Sequence, residues 1–362
     1  MRGKTDQQSS MLALAPEDLI PADHPIRRIK PIVDQVLREL SPTFDEMYHQ
    51  RGRLSVPPEQ LLKASILMSL YTVRSERQFC ERLRYDLLFK WFLDLNIGEE
   101  GFDHSTFSKN RVRLLEHEVA QRFFAAVVEQ ARLRKYVSDQ HFTVDGTLLE
   151  AWASVKSFTP RDGQPPAGGS GGRNPEIDFH GETRSNQTHR STTDPQALLF
   201  RKGKSQPAKL YYAGHVLMEN RNGLVVDMEL TQATGFAERD TALRMLHRRP
   251  RRRRGRHTVG ADKGYHTRDF RDGCRGAGIT PHLAQNTTRQ RSSIDGRTTH
   301  HRGYATSQRV RKRVEEIFGW VKTVGGGRKL RYIGEERNRA WALVTAATYN
   351  LVRISNLSLA SA

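Results

Sequence analysis

Residues 140–154 have the sequence QHFTVDGTLLEAWAS, and this stretch decides the fold of the second half of the chain. Phe142 and Val144, followed by two adjacent leucines, form an apolar pattern that predicts a strand in the core of a sheet. Asp145 lies inside that pattern, where a carboxylate is costly unless it is paired or binds a metal. The Asp145–Gly146 pair could instead end the strand in a turn, and the stretch alone leaves both interpretations open.

The charge of the chain indicates a polyanionic partner. Its 362 residues include 59 Lys and Arg against 40 Asp and Glu, which gives a formal net charge of +19. Nucleic acid is the natural partner, and an acidic membrane surface is the competing one. No apolar run approaches the roughly 20 residues of a spanning helix, and the initial MRGKTDQQSS lacks the pattern of a signal peptide. We therefore expect nucleic acid and no membrane.

Cysteine usage excludes two further features. Cys80 and Cys274 are the only cysteines, they are far apart, and no Cys/His spacing typical of zinc sites is present. This pattern indicates a reducing cytosol and no structural zinc.

The first part of the chain is predicted to be helical. Residues 1–25 are expected to form a flexible arm, because Pro16, Pro21 and Pro25 interrupt regular structure. Residues 26–135 are expected to form an all-helical, arginine-rich DNA-binding domain. Its predicted helices are Ile26–Leu40, Glu59–Val73, one that Ser75 and Gln78 cap and that includes Leu88, and one from Asp103 towards Arg132. A helix pair with a short turn suggests helix-turn-helix binding of DNA, although most such pairs bind nothing.

From residue 138 onwards short strands alternate with helices, which predicts an α/β catalytic domain at 138–335 and a C-terminal helix at 336–362. Residues 156–208 are poor in apolar side chains and contain PPAGGSGGRNP, so they are expected to form a flexible insertion. Asp227 falls in a predicted strand, on its solvated side. The other predicted elements are strands at Lys209–Glu219, Gly223–Thr231, Thr258 into Asp262 and Gly278–Leu283, and helices at Arg239–His247, Thr267–Gly276, Gln308–Val324 and Glu336–Asn356.

Residues 248–256, RRPRRRRGR, are the densest basic run of the chain. Such a run is usually a solvated loop, but seven arginines in nine residues beside a candidate site favour contact with phosphates. The candidate DNA-binding residues in this run are Arg251, Arg252, Arg253 and Arg254.

Asp145, Asp262 and Glu315 are the candidate catalytic and metal-binding residues. In a mixed sheet of this order, the strands that carry the two aspartates would lie side by side, and the helix of Glu315 can pack against the same edge. Three like charges this close repel unless divalent cations lie between them, and oxygen ligands suit Mg²⁺ or Mn²⁺ rather than zinc. Two such ions suit an in-line phosphoryl displacement. On a strongly basic chain this arrangement predicts cleavage of DNA.

Three phrases, DGTLLEAWAS, GADKGYH and RKRVEEIFGWVKT, resemble the active-site blocks of bacterial insertion-sequence DDE transposases, specifically the InsH-like group. The stretch GRLSVPPEQLLKASILMSLYTVRSERQFCERL, continued by DHSTFSKNR, is similar to the N-terminal domain of that group. The resemblance covers nearly the whole chain. It implies a ribonuclease-H-like core, cleavage at terminal inverted repeats and transfer of the freed 3′-hydroxyls into target DNA.

The family's signature around its glutamate is Tyr, two residues, Arg, three residues, Glu, six residues and Lys. Arg311, Glu315 and Lys322 match this spacing, whereas Gln308 stands at the tyrosine position, which puts the supporting contact of that tyrosine in doubt. Glu316 does not fit the spacing. Because Arg311 and Lys322 fall on the same helical face as Glu315, they are candidate contacts for DNA phosphates.

The resemblance further implies that Asp145, Asp262 and Glu315 are the metal-binding DDE triad and hold two Mg²⁺ or Mn²⁺ ions. Lys263, next to the second aspartate, is an additional candidate DNA contact. The implied partners are double-stranded DNA, as terminal inverted repeats and as target, and a second copy of the chain in a synaptic homodimer. The implied location is the bacterial cytoplasm, in association with the nucleoid.

Two alternatives remain open at this point. One is an inactive, transposase-derived DNA-binding regulator in which the helical domain does the work. The other is a metal-dependent hydrolase of a small phosphorylated substrate, which the basic charge disfavours. DNA binding through 6–10 phosphates would lose roughly 10³–10⁵ in affinity between 50 and 200 mM salt.

Overall fold

The central strand of the fold is β1 (His141–Glu150), the strand that contains Asp145. The computed structural model describes residues 14–48, 55–161, 184–201, 203, 206–249, 257–285 and 292–360. β1 passes through Asp145 and Gly146 without a turn, so the interpretation in which this pair ends the strand is wrong. The apolar side chains that follow the pair supply the second half of the strand.

One mixed sheet surrounds β1. The other strands in the described residues are β2 (Phe158–Pro160), β3 (His189–Ser191), β4 (Leu198–Phe200), β5 (Lys209–Glu219), β6 (Leu224–Gln232), β7 (His257–Ala261) and β8 (Ile279–Leu283). The order across the sheet is β6-β5-β1-β7-β8, and β4 pairs with the start of β5. β5 is antiparallel to both of its neighbours, β1 and β6, whereas β7 and β8 run parallel to β1. β2 and β3 form a separate pair. The predicted mixed sheet, with the strand before Asp262 beside the first strand, is confirmed.

The N-terminal part of the chain is helical, as predicted. Its helices are α1 (Pro16–Leu19), α2 (Ile26–Met47), α3 (Pro58–Leu70), α4 (Glu76–Leu83), α5 (Leu87–Phe92), α6 (His104–Glu116) and α7 (Val119–Leu133). Ser75 caps α4 by accepting a hydrogen bond from the Gln78 amide at 3.1 Å. The described part of the arm contains α1, because Pro16 occupies the first helical turn, where no amide hydrogen is needed.

Two predicted helices are each divided in two. Asp86 caps α5 by accepting from the Phe89 amide, which separates α5 from α4. Glu118 adopts a left-handed conformation with φ of 51°, which ends α6 before α7 begins. Both divisions occur at polar residues whose local geometry overrides an otherwise continuous helical pattern.

The helices of the second half are α8 (Ala237–Arg248), α9 (Arg268–Gly276), α10 (Gly296–Thr299), α11 (Arg302–Val310), α12 (Val314–Lys322) and α13 (Glu335–Ala360). The predicted helix Gln308–Val324 is two helices, since a 3₁₀ turn at Arg311–Arg313 joins α11 to α12. None of the helices in the described residues is both long and apolar enough to cross a membrane.

The sheet is covered on both faces. Phe142 and Val144 pack with side chains of α8, α9, β7 and β8 on one face. On the other face, α12 and α13 join the N-terminal helices and β5 and β6 in one continuous hydrophobic cluster. α13 packs against both α7 and β6. The helical region and the catalytic region therefore share a core, and the proposed boundaries at 26–135, 138–335 and 336–362 stay a prediction.

Part of the expected flexible insertion is ordered on the sheet. Asp194 is fully buried and accepts a hydrogen bond from the Tyr212 hydroxyl at 2.8 Å. Residues 162–183, 202 and 204–205 of the insertion lie outside the described residues. The prediction for Asp227 is wrong, since its side chain is largely buried and Arg248 lies 2.7 Å away. The strand alternation placed it on the polar face, but α8 covers that face.

Candidate active site at the carboxyl end of the central strands

The two candidate aspartates occupy equivalent positions on neighbouring parallel strands. β1 pairs with β7 at His141–Thr258, Phe142–Val259 and Thr143–Gly260, a constant offset of 117 residues. Asp145 and Asp262 are also 117 residues apart, so they continue this register by one more pair on the same face. The 117-residue separation of the two aspartates therefore equals the register offset between β1 and β7.

A notch forms where β7 ends. β7 stops at Ala261, whereas β1 continues to Glu150. Among the described residues, the second half of β1 therefore has a strand partner only on the β5 side, until Leu330 donates to the Glu150 carbonyl at 2.7 Å. α12 covers one face of this notch and the start of α8 covers the other. Asp145 lies on the α12 face, because its cross-strand partner Val216 belongs to the hydrophobic cluster on that side.

Asp145 is unusually hard to ionise. Its pKa is raised from the ordinary 3.8 to about 7, mainly by burial and also by the charges of Asp262 and Glu238, while the Gly146 amide and the charge of Arg311 oppose the shift. The Gly146 amide donates to Oδ1 at 2.8 Å. A strongly raised carboxyl pKa in a cleft is a common property of functional sites.

Asp262 ends β7 and shapes the turn that follows. Its Oδ1 accepts a hydrogen bond from the Gly264 amide at 2.7 Å, which caps the 3₁₀ turn at Lys263–Tyr265. Lys263 is exposed on this turn, next to the aspartate. Tyr265 turns back into the core and is 1% exposed. Lys263 and Tyr265 therefore lie in opposite environments, the first at the surface and the second in the core.

The sequence patterns do not identify Glu238 as a residue of the site. It lies in the first turn of α8, and the Tyr265 hydroxyl donates to its Oε1 at 3.1 Å. Burial raises the pKa of Glu238, the hydrogen bond from Tyr265 lowers it, and the charge of Asp262 raises it again. The only sequence signals were an acidic residue after the third core strand and the glycine beside Asp145. The structure therefore gathers three carboxylates from β1, β7 and α8.

Glu315 lies on α12, which packs against β1. Its side chain is exposed, and no hydrogen bond or ion pair joins it to another of the described residues. The neighbouring Glu316 instead pairs with Arg353, at 3.1 Å from Nη1. The structure does not bring Glu315 into contact with either aspartate, and the choice of Glu315 over Glu316 stays a prediction from the signature spacing.

Arg311 and Lys322 bracket the α12 face of the notch. A β-carbon on Gly260 would lie 3.3 Å from Cβ of Arg311. Gly260 precedes Asp262 by two residues on the same face of β7, so Arg311 lies just before the aspartates along the strand direction. Lys322 Nζ donates to Thr147 Oγ1 at 2.5 Å, one pair above Asp145 on the same face. Arg311 is therefore positioned against β7, the strand that leads to Asp262, and Lys322 against β1, the strand that carries Asp145.

Gln308, at the tyrosine position of the signature, makes two hydrogen bonds of its own. Its Nε2 donates to the His282 carbonyl of β8 at 2.6 Å, and its Oε1 accepts from Arg311 Nε at 3.1 Å. The glutamine thus links the sheet to the guanidinium.

Two family models match this chain. The model described as "Transposase domain (DUF772)" matches residues 14–113, and the model described as "Transposase DDE domain" matches residues 187–351. The chain is an insertion-sequence-type DDE transposase. The DDE match includes Asp262 and Glu315 and begins after Asp145. The InsH-like subgroup is compatible with these matches, which do not separate it from related groups.

The comparison with solved structures gave alignments with low TM-scores. A piggyBac transposase synaptic complex with hairpin DNA aligns with a TM-score of 0.44 and 10% identity, over 93% of this chain and 76% of that one. The Mos1 strand transfer complex aligns with a TM-score of 0.19 and 10% identity, over 87% and 81%. No curated protein matched the transposase.

The donor set of the transposase fits a divalent cation. Asp145, Asp262 and Glu238 offer only oxygen ligands, which suits Mg²⁺ or Mn²⁺. Burial, together with the charges of neighbouring carboxylates, raises the pKa of Asp145 and of Glu238. Within the described ranges, no three His, Cys, Asp or Glu side chains are already arranged to hold a metal ion. Side-chain rotation would therefore have to accompany binding.

The basic run of the transposase is only partly described. Arg251, Arg252, Arg253 and Arg254 lie outside the described residues. Of the two arginines that precede them, Arg248 pairs with Asp227, and Arg249 lies over the ring of Phe142 at 4.2 Å. These first two arginines of the run have structural contacts.

Proposed function

We propose that this transposase cuts DNA at the terminal inverted repeats of its element and joins the freed 3′-hydroxyls to target DNA, with Asp145, Asp262 and Glu315 as the catalytic metal ligands. The observation that carries the proposal is the shared register of Asp145 and Asp262 beneath α12. Glu315 would reach the site from α12 by side-chain rotation. The cofactor would be Mg²⁺ or Mn²⁺, as two ions.

The chemistry needs no external energy source in the joining step. In cleavage, a water oxygen forms a bond to phosphorus and the bond to the 3′-oxygen breaks, which leaves a 3′-hydroxyl and a 5′-phosphate. In joining, that 3′-hydroxyl attacks a target phosphodiester, so one phosphorus–oxygen bond forms as another breaks. Bound divalent ions would activate the attacking oxygen and stabilise charge on the leaving oxygen.

Basic residues around the notch would hold the DNA backbone. Arg311 and Lys322 flank Asp145 on the α12 side, and Lys263 is exposed beside Asp262. Arginine and lysine at these positions would position phosphates for in-line attack. Arg251, Arg252, Arg253 and Arg254 would extend this contact, and the net charge of +19 supports double-stranded DNA as the partner.

The working form would be a homodimer that holds two element ends in one synaptic complex on the bacterial nucleoid. The final helix is a poor candidate for the dimer interface, because α13 is largely buried between α7 and β6. A dimer contact would then lie elsewhere on the chain.

Cleavage of labelled DNA that carries the ends flanking the element, with Mg²⁺ or with EDTA, tests the proposal. Asp145→Asn and Glu315→Gln should each lower the cleavage rate about a thousandfold, which corresponds to about 4 kcal/mol. Glu316→Gln is the matched control, since it removes the same charge from the adjacent residue, which pairs with Arg353. Its rate should stay within about threefold of wild type.

Two outcomes would contradict the proposal in different ways. Equal cleavage by Glu315→Gln and Glu316→Gln would remove Glu315 from the catalytic site. Salt-sensitive DNA binding without metal-dependent cleavage by the wild-type chain would instead favour an inactive DNA-binding regulator.

A further inference from the structure

The carboxylates of the sheet differ in their partners. Glu229 on β6 is buried and lies 2.9 Å from Nη2 of Arg244, an ordinary ion pair. Asp145, Asp262 and Glu238, in contrast, have no lysine or arginine within ion-pair distance among the described residues. Three neighbouring carboxylates without a cation repel one another, and the repulsion is relieved when one of them keeps a proton or when a cation enters.

Gly146 allows Glu238 to reach this group. The cross-strand pair of Gly146 with His215 puts the glycine on the α8 face of β1, opposite in direction to Asp145. A β-carbon at Gly146 would lie 2.8 Å from Oε1, 3.0 Å from Cγ and 3.1 Å from Cδ of Glu238. The carboxylate thus occupies the space that a side chain would need, directly against the backbone next to Asp145.

Tyr265 fixes the same carboxylate from the other strand. Its hydroxyl donates to Oε1 of Glu238 at 3.1 Å, and its ring is buried three residues after Asp262. Glu238 is therefore held between the two segments that carry the catalytic aspartates, by contact with one and by a hydrogen bond from the other. Glu238 thus has a tyrosine hydroxyl as its side-chain donor, whereas Glu229 has an arginine partner.

We infer that Glu238 is a fourth carboxylate of the metal site and binds a divalent cation together with Asp145 and Asp262. The inference rests on the proposed function, since it extends the same site. In this arrangement, carboxylates converge on the notch from both faces of the sheet, Glu238 from α8 and Glu315 from α12. Tyr265 is a positioning residue, because it acts on the metal only through Glu238.

Isothermal titration of the full chain with Mn²⁺, without DNA, tests this assignment independently of catalysis. Glu238→Gln should raise the Kd for Mn²⁺ at least about tenfold, because loss even of groups that only orient metal ligands costs about 10–100-fold. Asp240→Asn is the matched control, since Asp240 is an exposed carboxylate in the same first turn of α8. It should bind Mn²⁺ as the wild type does.

Thermal unfolding in EDTA separates a metal ligand from a structural residue. Metal-free Glu238→Gln should unfold at or above the wild-type temperature, because the variant removes repulsion, and Mn²⁺ should stabilise it less than wild type. Wild-type Mn²⁺ affinity in Glu238→Gln, with affinity lost in Asp145→Asn, would overturn the assignment of Glu238 alone. Wild-type affinity in both variants would overturn the proposed metal site as well.

Tyr265→Phe provides a variant in which the carboxylate stays. Loss of the hydroxyl should weaken Mn²⁺ binding less than Glu238→Gln does, because the ligand is retained but less fixed. Equal Mn²⁺ affinity in Tyr265→Phe and wild type, combined with equal affinity in Glu238→Gln, would show that Tyr265 and Glu238 only stabilise the fold.

Discussion

Replacement of Asp145 by asparagine should stabilise the metal-free protein, and the gain should depend on pH. Burial, together with the charges of Asp262 and Glu238, raises the pKa of Asp145 to about 7 in the folded chain, against an ordinary value of 3.8. That difference corresponds to about 4 kcal/mol of unfavourable ionisation in the folded state. Asparagine has a similar shape and no charge to desolvate, so it removes this cost.

The sign follows from proton binding. Between pH 3.8 and about 7, the folded chain keeps a proton on Asp145 that the unfolded chain has released. The contribution of this residue to stability therefore falls as pH rises through that window and is constant above it. The difference between Asp145→Asn and wild type should be near zero at about pH 4 and should approach about 4 kcal/mol at about pH 8.

Urea unfolding in EDTA across this pH range measures the difference. Glu229→Gln is a control of opposite sign: burial alone would raise the pKa of Glu229, but Arg244 and Arg248 together hold it below its ordinary value. The stability of Glu229→Gln relative to wild type should therefore fall as pH rises, because the ionised Glu229 stabilises the wild-type fold. If Asp145→Asn is no more stable than wild type at about pH 8, the carboxylate is not desolvated as the structure indicates, and the reasoning is refuted.

Two other substitutions separate the geometry of the site from its stability. Gly146→Ala should keep the free energy of unfolding within about 1 kcal/mol, because alanine is the better strand residue, but should weaken Mn²⁺ binding about tenfold by displacing the Glu238 carboxylate. Gly214→Ala, whose methyl group would meet a leucine, should leave the Mn²⁺ affinity unchanged in the same titration. Gln308→Ala should lower the free energy of unfolding by about 1–3 kcal/mol in urea, because the half-buried Arg311 loses its acceptor, and an unchanged value would contradict the linking role of Gln308.

The parts of the site that the sequence predicts are those determined by patterns among residues close together in the chain. Alternation in Phe142–Val144 predicts β1, and the strand before Asp262 follows from its small apolar residues. Given two adjacent parallel strands, their register then brings the aspartates together. The Ser75–Gln78 cap is likewise confirmed, because a capping side chain and its amide are only three residues apart.

The parts that the sequence does not predict depend on contacts between distant segments. Glu238 meets Gly146 across 92 residues, and nothing in the composition of α8 indicates which strand its first turn will face. Asp227 fits a solvated strand position until α8 brings Arg248 over it. The 3₁₀ turn at Arg311–Arg313 interrupts a helical pattern that is continuous in sequence. In each case tertiary packing overrides a correct local pattern.

The unequal length of β1 and β7 explains why the site lies where it does. Had β7 continued beside β1, main-chain hydrogen bonds and side chains would have filled the space next to Asp145. Because β7 ends at Ala261, Asp262 and the first turn of α8 can approach Asp145 without an intervening strand. The same opening leaves negative charge unbalanced in a partly dry cleft, at a cost to folding that entry of a cation would remove. In the proposed metal site, the cost of the metal-free state and the affinity for metal would therefore both follow from one feature of the sheet.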